Sequence, residues 1–293
     1  MALKRAQNLA ALILTGPFVI TYAVLFIYPT YQMAALSLTD GPLIGEGAWV
    51  GFKNYLDLFG SRSFIKSAGN TFYFVVLTVV PTTILALVIA LMVNRLKGWM
   101  QSLVLACFFL PYILPVSVVY IVWQWVLDLQ FGVAQYFLEF VFGRRVSLLL
   151  EINWAMPAIA FVTVWWTNGF NVLLFIAGLR NIPQDYYDAA ALDGATALQK
   201  FTRITLPLIW PVAALVLTIQ LILQLKIFDQ VYLFTRGSGG PANATLTSVL
   251  FIYKQAFQLD KGGVGAAAAT LLFLVIVVFS VLQYQVLRGR SQA

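Results

Sequence analysis

Six stretches of this chain run without one charged side chain: residues 6–39, 67–94, 98–127, 152–179, 204–225 and 262–287. Each reaches the roughly 20 apolar residues that a helix needs to cross ~30 Å of hydrocarbon. Helices are the expected spanning form, because a helix satisfies its own backbone hydrogen bonds where water is absent. The pattern predicts an all-α integral membrane protein with six transmembrane helices. They fall at about 9–36, 70–93, 100–127, 154–178, 207–229 and 262–287. Pro17 and Pro29 predict a kink in the first.

The connectors carry the remaining pattern. Residues 49–59 mix aromatic and charged positions, which suits a short helix lying in the membrane interface rather than crossing it. Trp123 and Trp125 fall near the end of the third span, where an aromatic belt is expected. The polar island at 180–207 is the longest connector on its side. Asn181 reads as a helix cap, with Pro183 in the first turn and Asp185 and Asp188 where the helix dipole favours acids. Ala189–Leu192 continue that helix and Gly194 permits a sharp turn. A second short helix over 195–203 then leads to Pro207 at the mouth of the fifth span. The chain divides into a first span with its external segment (1–69), a five-helix core with the loop 180–207 (70–287), and a tail (288–293).

Composition sharpens this picture. The 293 residues are 61% hydrophobic and only 10% charged, against ~25% charged in soluble domains. Lys4 and Arg5 precede an apolar run too long for a removable signal peptide, so it reads as an uncleaved span. The net charge of +7 raises nucleic acid as a partner, but its distribution argues for topology instead. Lys4, Arg5, Arg95, Lys97, Arg180, Lys200, Arg203, Arg288 and Arg290 fall on one side, while the opposite connectors are diluted with acids. The positive-inside rule makes both termini cytoplasmic, with membrane lipid as the surrounding partner and no nucleic acid. One cysteine, Cys107, rules out an intrachain disulfide, and the absence of histidine removes the usual zinc and haem ligand. No phosphate loop occurs, so nucleotide chemistry has no place in this chain by that route.

The island has a specific likeness. Asp188-Ala189-Ala190-x-x-Asp193-Gly194-Ala195, followed by Ile204-Thr-Leu-Pro207, resembles the EAA signature of bacterial ABC importer permeases. The resemblance implies a type I importer architecture in which this loop docks into a groove on a cytoplasmic ATPase. Asp188, Ala189, Ala190, Asp193, Gly194, Ala195 and Pro207 would then couple the two. Small alanines suit close helix approach, and the first acid suits a cationic groove residue; the family's usual glutamate is an aspartate here. Tyr28-Pro29, Trp49-Val-Gly-Phe-Lys-Asn-Tyr55, Asn70-Thr71, Lys226-Ile-Phe-Asp229 and Gly239-Gly-Pro241 look like the carbohydrate-type permeases. That likeness implies a second related permease, two copies of an ATPase subunit holding ATP and magnesium, and an extracytoplasmic binding protein. No cofactor is expected in this chain, which would sit in a bacterial plasma membrane. An oligosaccharide, a glycoside or a glycerol-phosphate-like compound is the implied cargo.

Polar residues inside spans are costly and often functional. Asn168 and Asn171 share one helix face, as do Gln220 and Gln224. Their amides suit sugar hydroxyls, with Trp123, Trp165 or Trp166 to stack on a ring. They equally suit hydrogen bonds between helices, the reading favoured for Asn171. Lys226 and Asp229 read as a mutual ion pair or, for Lys226, as a contact to an anionic sugar derivative. Residues 237–241 are either a plain external turn or a contact loop for the binding protein or its cargo. Two rivals remain: an ion-coupled secondary transporter, which needs carboxylates near midplane, and an intramembrane enzyme, for which no nucleophile–base pair is evident.

Overall fold

A computed structural model describes residues 13–290. Lys4, Arg5, the opening residues of the first span and the last three of the tail lie outside the described residues, as do the side chains of Arg288 and Arg290. Among the described residues, five helices are long and apolar enough to span: Ile13–Leu36, Arg62–Val93, Ala155–Arg180, Ala197–Leu225 and Gly262–Gln283. A bent pair, Gly98–Ile113 and Val116–Val126, makes the sixth crossing if its halves count as one span. The contacts group the described residues into two compact units, one within 1–62 and 251–274, the other within 63–250 and from 275 on.

In the smaller unit, the first span does not break at Pro29. A π turn at Ala23–Ile27 precedes the proline, with Tyr28 N–H bonded to Ala23 O. The widened turn holds the carbonyl of Leu25, which the proline ring would otherwise strike. The interfacial helix forms at Lys53–Gly60. It is pinned by Asn54, whose Nδ2 donates to the carbonyls of Ser37 (2.9 Å) and Thr39 (2.7 Å), and by the Ser37–Tyr55 hydroxyl pair at 2.6 Å. Asn54 and Leu58 turn inward while Trp49, Phe52, Leu56 and Phe59 stay exposed, the division expected of a helix in an interface.

In the larger unit, the span over 155–180 is the centre of the packing. Ala86, Ala90 and Val93 of the second span share one face and admit Val172, Phe175 and Leu179 of the fourth. Ile209, Ala213 and Val216 of the fifth close the cluster. Lipid is as apolar as these side chains, so close van der Waals fit rather than hydrophobic transfer holds them. Gly169 lets the fourth span touch the third, since a Cβ there would run into the carbonyl of Phe108. At one end of this bundle Arg180 donates to Gln101 Oε1 (2.7 Å), and Gln101 Nε2 donates to Val93 O (3.1 Å). That pair ties the ends of the second, third and fourth spans together.

Four expectations change. The third span is not one helix over 100–127, because its two halves meet at 100°. Pro111 deletes a ladder bond, and Pro115 forces Leu114 into an extended conformation (ψ 135°). The second span starts at Arg62 rather than 70, so Asn70 and Thr71 lie inside it. The second hairpin helix does not stop at 203 but runs unbroken from Ala197 to Leu225. A π turn at Phe201–Thr205 precedes Pro207 and holds the carbonyl of Arg203, as the first span does before Pro29. The fifth span ends at Leu225, and Asp229 opens a separate helix, Asp229–Thr235.

Candidate functional site

The loop at 181–205 is a helical hairpin. Asn181 closes the fourth span, and Pro183 instead of Asn181 stands at the cap of the helix Gln184–Leu192. Asp185 occupies its first turn, and Asp188 lies one residue beyond it. The helix ends in a Schellman closure: Gly194 N–H bonds Ala191 O (3.1 Å) and Ala195 N–H bonds Ala190 O (2.9 Å). Gly194 carries φ +72°, a left-handed conformation that glycine adopts without penalty. A Cβ there would meet nothing within 4 Å, so the demand is conformational, not steric.

The second limb begins with a capping box. Thr196 Oγ1 accepts from Gln199 N–H (3.3 Å), and Gln199 Oε1 accepts from Thr196 N–H (2.7 Å). The two limbs are joined by the hydroxyls of Tyr187 and Thr205, 2.9 Å apart. Between them lies a pocket of ≈ 350 Å³ lined by Asp193, Lys200 and Arg203 among others. Asp188 Oδ1 accepts from Gln184 Nε2 (3.1 Å) on the exposed side. Asp188, Ala189, Asp193, Gly194 and Pro207 are exposed, whereas Ala190 and Ala195 are half-buried. Leu192 and Leu198 are 91% and 70% exposed, unusual for large apolar side chains on a polar hairpin. Gln184, Tyr187, Thr196, Gln199 and Thr205 were not among the expected site residues. Of these, only the Thr-x-x-Gln cap had a signal in the sequence.

The intramembrane amides separate into two groups. Gln220 Nε2 donates to Asn171 Oδ1 (3.0 Å), Gln224 Nε2 donates to Gln220 Oε1 (3.1 Å), and Asn171 Nδ2 donates to Thr167 O (3.2 Å). This chain runs between the fourth and fifth spans, with Gln220 only 1% exposed. Asn168 stands apart. It is 6% exposed, its Oδ1 has no partner, and it lines a ≈ 510 Å³ cavity with Trp165, Phe161, Phe108 and Pro111. Trp123 packs edge-on against Trp165 at 5.3 Å and against Phe161 at 5.6 Å. Lys226 and Asp229 form no ion pair, because the helix that would have placed them on one face has ended between them.

The loop after the fifth span is tied down by its own backbone turns and by the second span. Arg236, Gly237, Gly239, Gly240, Ala242 and Asn243 all have positive φ. Lys66 Nζ donates to Ala242 O (2.6 Å), and Asn70 Nδ2 donates to the carbonyls of Asn243 (2.9 Å) and Leu246 (3.0 Å). The loop borders a second cavity of ≈ 640 Å³ with Gln124, Asp128, Ser147, Thr235 and Arg236 in its wall.

The hairpin, set between the fourth and fifth spans, lies inside the stretch that a transport family matches. Residues 82–292 match the binding-protein-dependent transport system inner membrane component. The chain belongs to this family. It is the permease subunit of an ABC importer, a multi-pass membrane protein and not an enzyme. Over 294 residues the permease is 30% identical to the sulfoquinovosyl glycerol transport system permease protein SmoG of Agrobacterium fabrum, covering 99% of this chain and 94% of the relative. It is 33% identical over 276 residues to the trehalose/maltose transport system permease protein MalF of Thermococcus litoralis, covering 94% and 92%. A bacterial ABC transporter involved in the import of the acidic polysaccharide alginate superposes with a TM-score of 0.83. It is 25% identical to the permease, covering 98% of this chain and 97% of that one.

Proposed function

We propose that this permease carries a sugar or sugar derivative across a bacterial plasma membrane. An extracytoplasmic binding protein delivers the cargo, and partner ATPases supply the work. Relatives named for sulfoquinovosyl glycerol and for trehalose and maltose support a carbohydrate cargo. A second related permease and two cytoplasmic ATPase subunits, which hold the ATP and magnesium, complete the transporter. Both termini and the 181–205 hairpin are cytoplasmic in this reading, in line with the Lys and Arg distribution.

The observation that carries the coupling role is the exposure of Leu192 and Leu198 on a hairpin otherwise closed by its own hydrogen bonds. Such a surface calls for a partner. Asp188, Ala189, Ala190, Asp193, Gly194, Ala195 and Pro207 form or shape that surface. Asp188 keeps one carboxylate oxygen clear of its bond to Gln184, so it remains able to meet a cationic groove residue. Among the candidate cargo contacts, Asn168 and Trp165 have the stronger support, since they border a cavity with an unused acceptor. Gln220 and Gln224 spend their amides on each other and on Asn171.

The test uses the complete transporter in proteoliposomes. Asp188→Arg should abolish ATP-driven uptake and weaken co-purification of the ATPase while leaving permease yield unchanged. Uptake by this chain without any ATPase, or full coupling in the variant, would overturn the reading.

A further inference from the structure

The segment between the third and fourth spans contains a helix, Ala134–Phe142, that none of the transport roles uses. It has an inward face and an exposed apolar one. Gln135 and Leu138 turn inward, whereas Val133, Tyr136, Phe137, Phe140 and Val141 are all exposed, Phe140 at 87%. Those five recur at i, i+3, i+4, i+7 and i+8, one continuous stripe along the helix.

We propose that this stripe lies in the bilayer surface, anchoring the segment to lipid at the end of the bundle opposite the 181–205 hairpin. Both ends of the helix are tied to span ends. Gln135 Nε2 donates to the carbonyl of Leu127 (3.2 Å), the residue that follows the half-helix Val116–Val126. Phe142 packs edge-on against Trp154 at 5.4 Å, one residue before the fourth span begins. Two further bonds, Gln135 Nε2 to Val146 O and Val146 N to Gln135 Oε1, both 3.1 Å, fold the returning chain beneath it. The helix is therefore held at the depth where two apolar helices leave the hydrocarbon. Aromatic side chains at that depth are the usual membrane-interface anchors.

The charges favour lipid over a protein that docks and leaves. Transient protein interfaces are about as polar as ordinary surface, and this stripe carries one hydroxyl, that of Tyr136. The neighbouring cations lie off the stripe and beside acids: Arg145 near Glu139 (3.5 Å) and bonded to the Gln130 carbonyl (2.8 Å), Arg144 near Glu151 at 3.8 Å. The contact made by the stripe itself is thus apolar, and salt has little hold on it. Ser147, Leu149 and Leu150, a few residues on, form one wall of the ≈ 640 Å³ cavity. The anchor fixes that wall at the level of the membrane surface.

The experiment places a bimane label at Phe140→Cys or, independently, at Phe137→Cys, with Cys107→Ser removing the native thiol. The complete transporter is reconstituted in phosphatidylcholine vesicles. A stripe seated ~5–10 Å below the headgroups loses its emission to shallow nitroxide lipids, resists aqueous iodide, and does so equally at low and high salt. A label at Ser238→Cys, on the polar loop, should respond to iodide alone. Iodide quenching of both stripe labels without lipid quenching would overturn the proposal. So would shielding that appears only when binding protein is added.

Discussion

Gly194 shows how much of the 181–205 hairpin rests on one backbone angle. Its φ of +72° closes the first limb, and the space around it is open. Any L-residue there costs about 1–2 kcal/mol, least for asparagine, which tolerates the left-handed region. Gly194→Val should therefore lower uptake per ATP hydrolysed while Gly194→Asn retains it, as read from paired ATPase and uptake assays. Equal coupling in the two would show that the angle is not required. The sequence made this glycine legible because its neighbours spell out a helix on either side. The bond from Gln184 to Asp188 was legible only as a spacing: four residues put the two on one helix face, but spacing alone does not say that the amide donates to the acid.

At the scale of elements, the apolar windows located the spans, and prolines decided their form. Pro81 leaves the second span continuous, Pro29 and Pro207 each follow a π turn, and Pro111 with Pro115 break the third span by 100°. Nothing local distinguishes these outcomes. What differs is the neighbourhood: Trp166 Nε1 donates to the freed carbonyl of Leu114 (3.1 Å), a partner 52 residues away. The amide chain across the fourth and fifth spans yields a graded expectation. Gln220→Leu removes two bonds and orphans Asn171 Oδ1, whereas Gln224→Leu removes only the terminal one. The bond between spans is worth about 0.6 kcal/mol and the one within the fifth span about 0.2–0.5 kcal/mol, so thermal unfolding in detergent should show the first variant destabilised roughly two to three times as much as the second. Equal shifts would mean the chain does not act as a series.

For the molecule as a whole, the long-range ties matter most. Asn70 reaches across the sequence to the carbonyls of Asn243 and Leu246, locking a loop with six positive φ angles. Asn70→Ala frees two acceptors, at about 1 kcal/mol each. Amide exchange at Thr245, whose N–H bonds Gly239 O at 2.9 Å, should accelerate by roughly tenfold or more. Unchanged exchange would assign the loop's order to its own turns. The sequence flagged Asn70 only as a familiar dipeptide, because a contact spanning 173 residues has no local signature.

One further consequence follows from the helix that runs unbroken from Ala197 to Leu225. It makes a lever of the hairpin's second limb. Its 29 residues form a rod of ~43 Å, so a tilt of about 5° at the hairpin sweeps the far end through ~4 Å. The rod is interrupted twice, by the π turn at Phe201–Thr205, where Tyr187 braces Thr205, and by Pro211, which removes one ladder bond further along. In the proposed coupling role, torque on the first limb would enter the fifth span through that π turn. The stiffness of that turn and of the step at Pro211 would then set how much of the motion reaches Lys226.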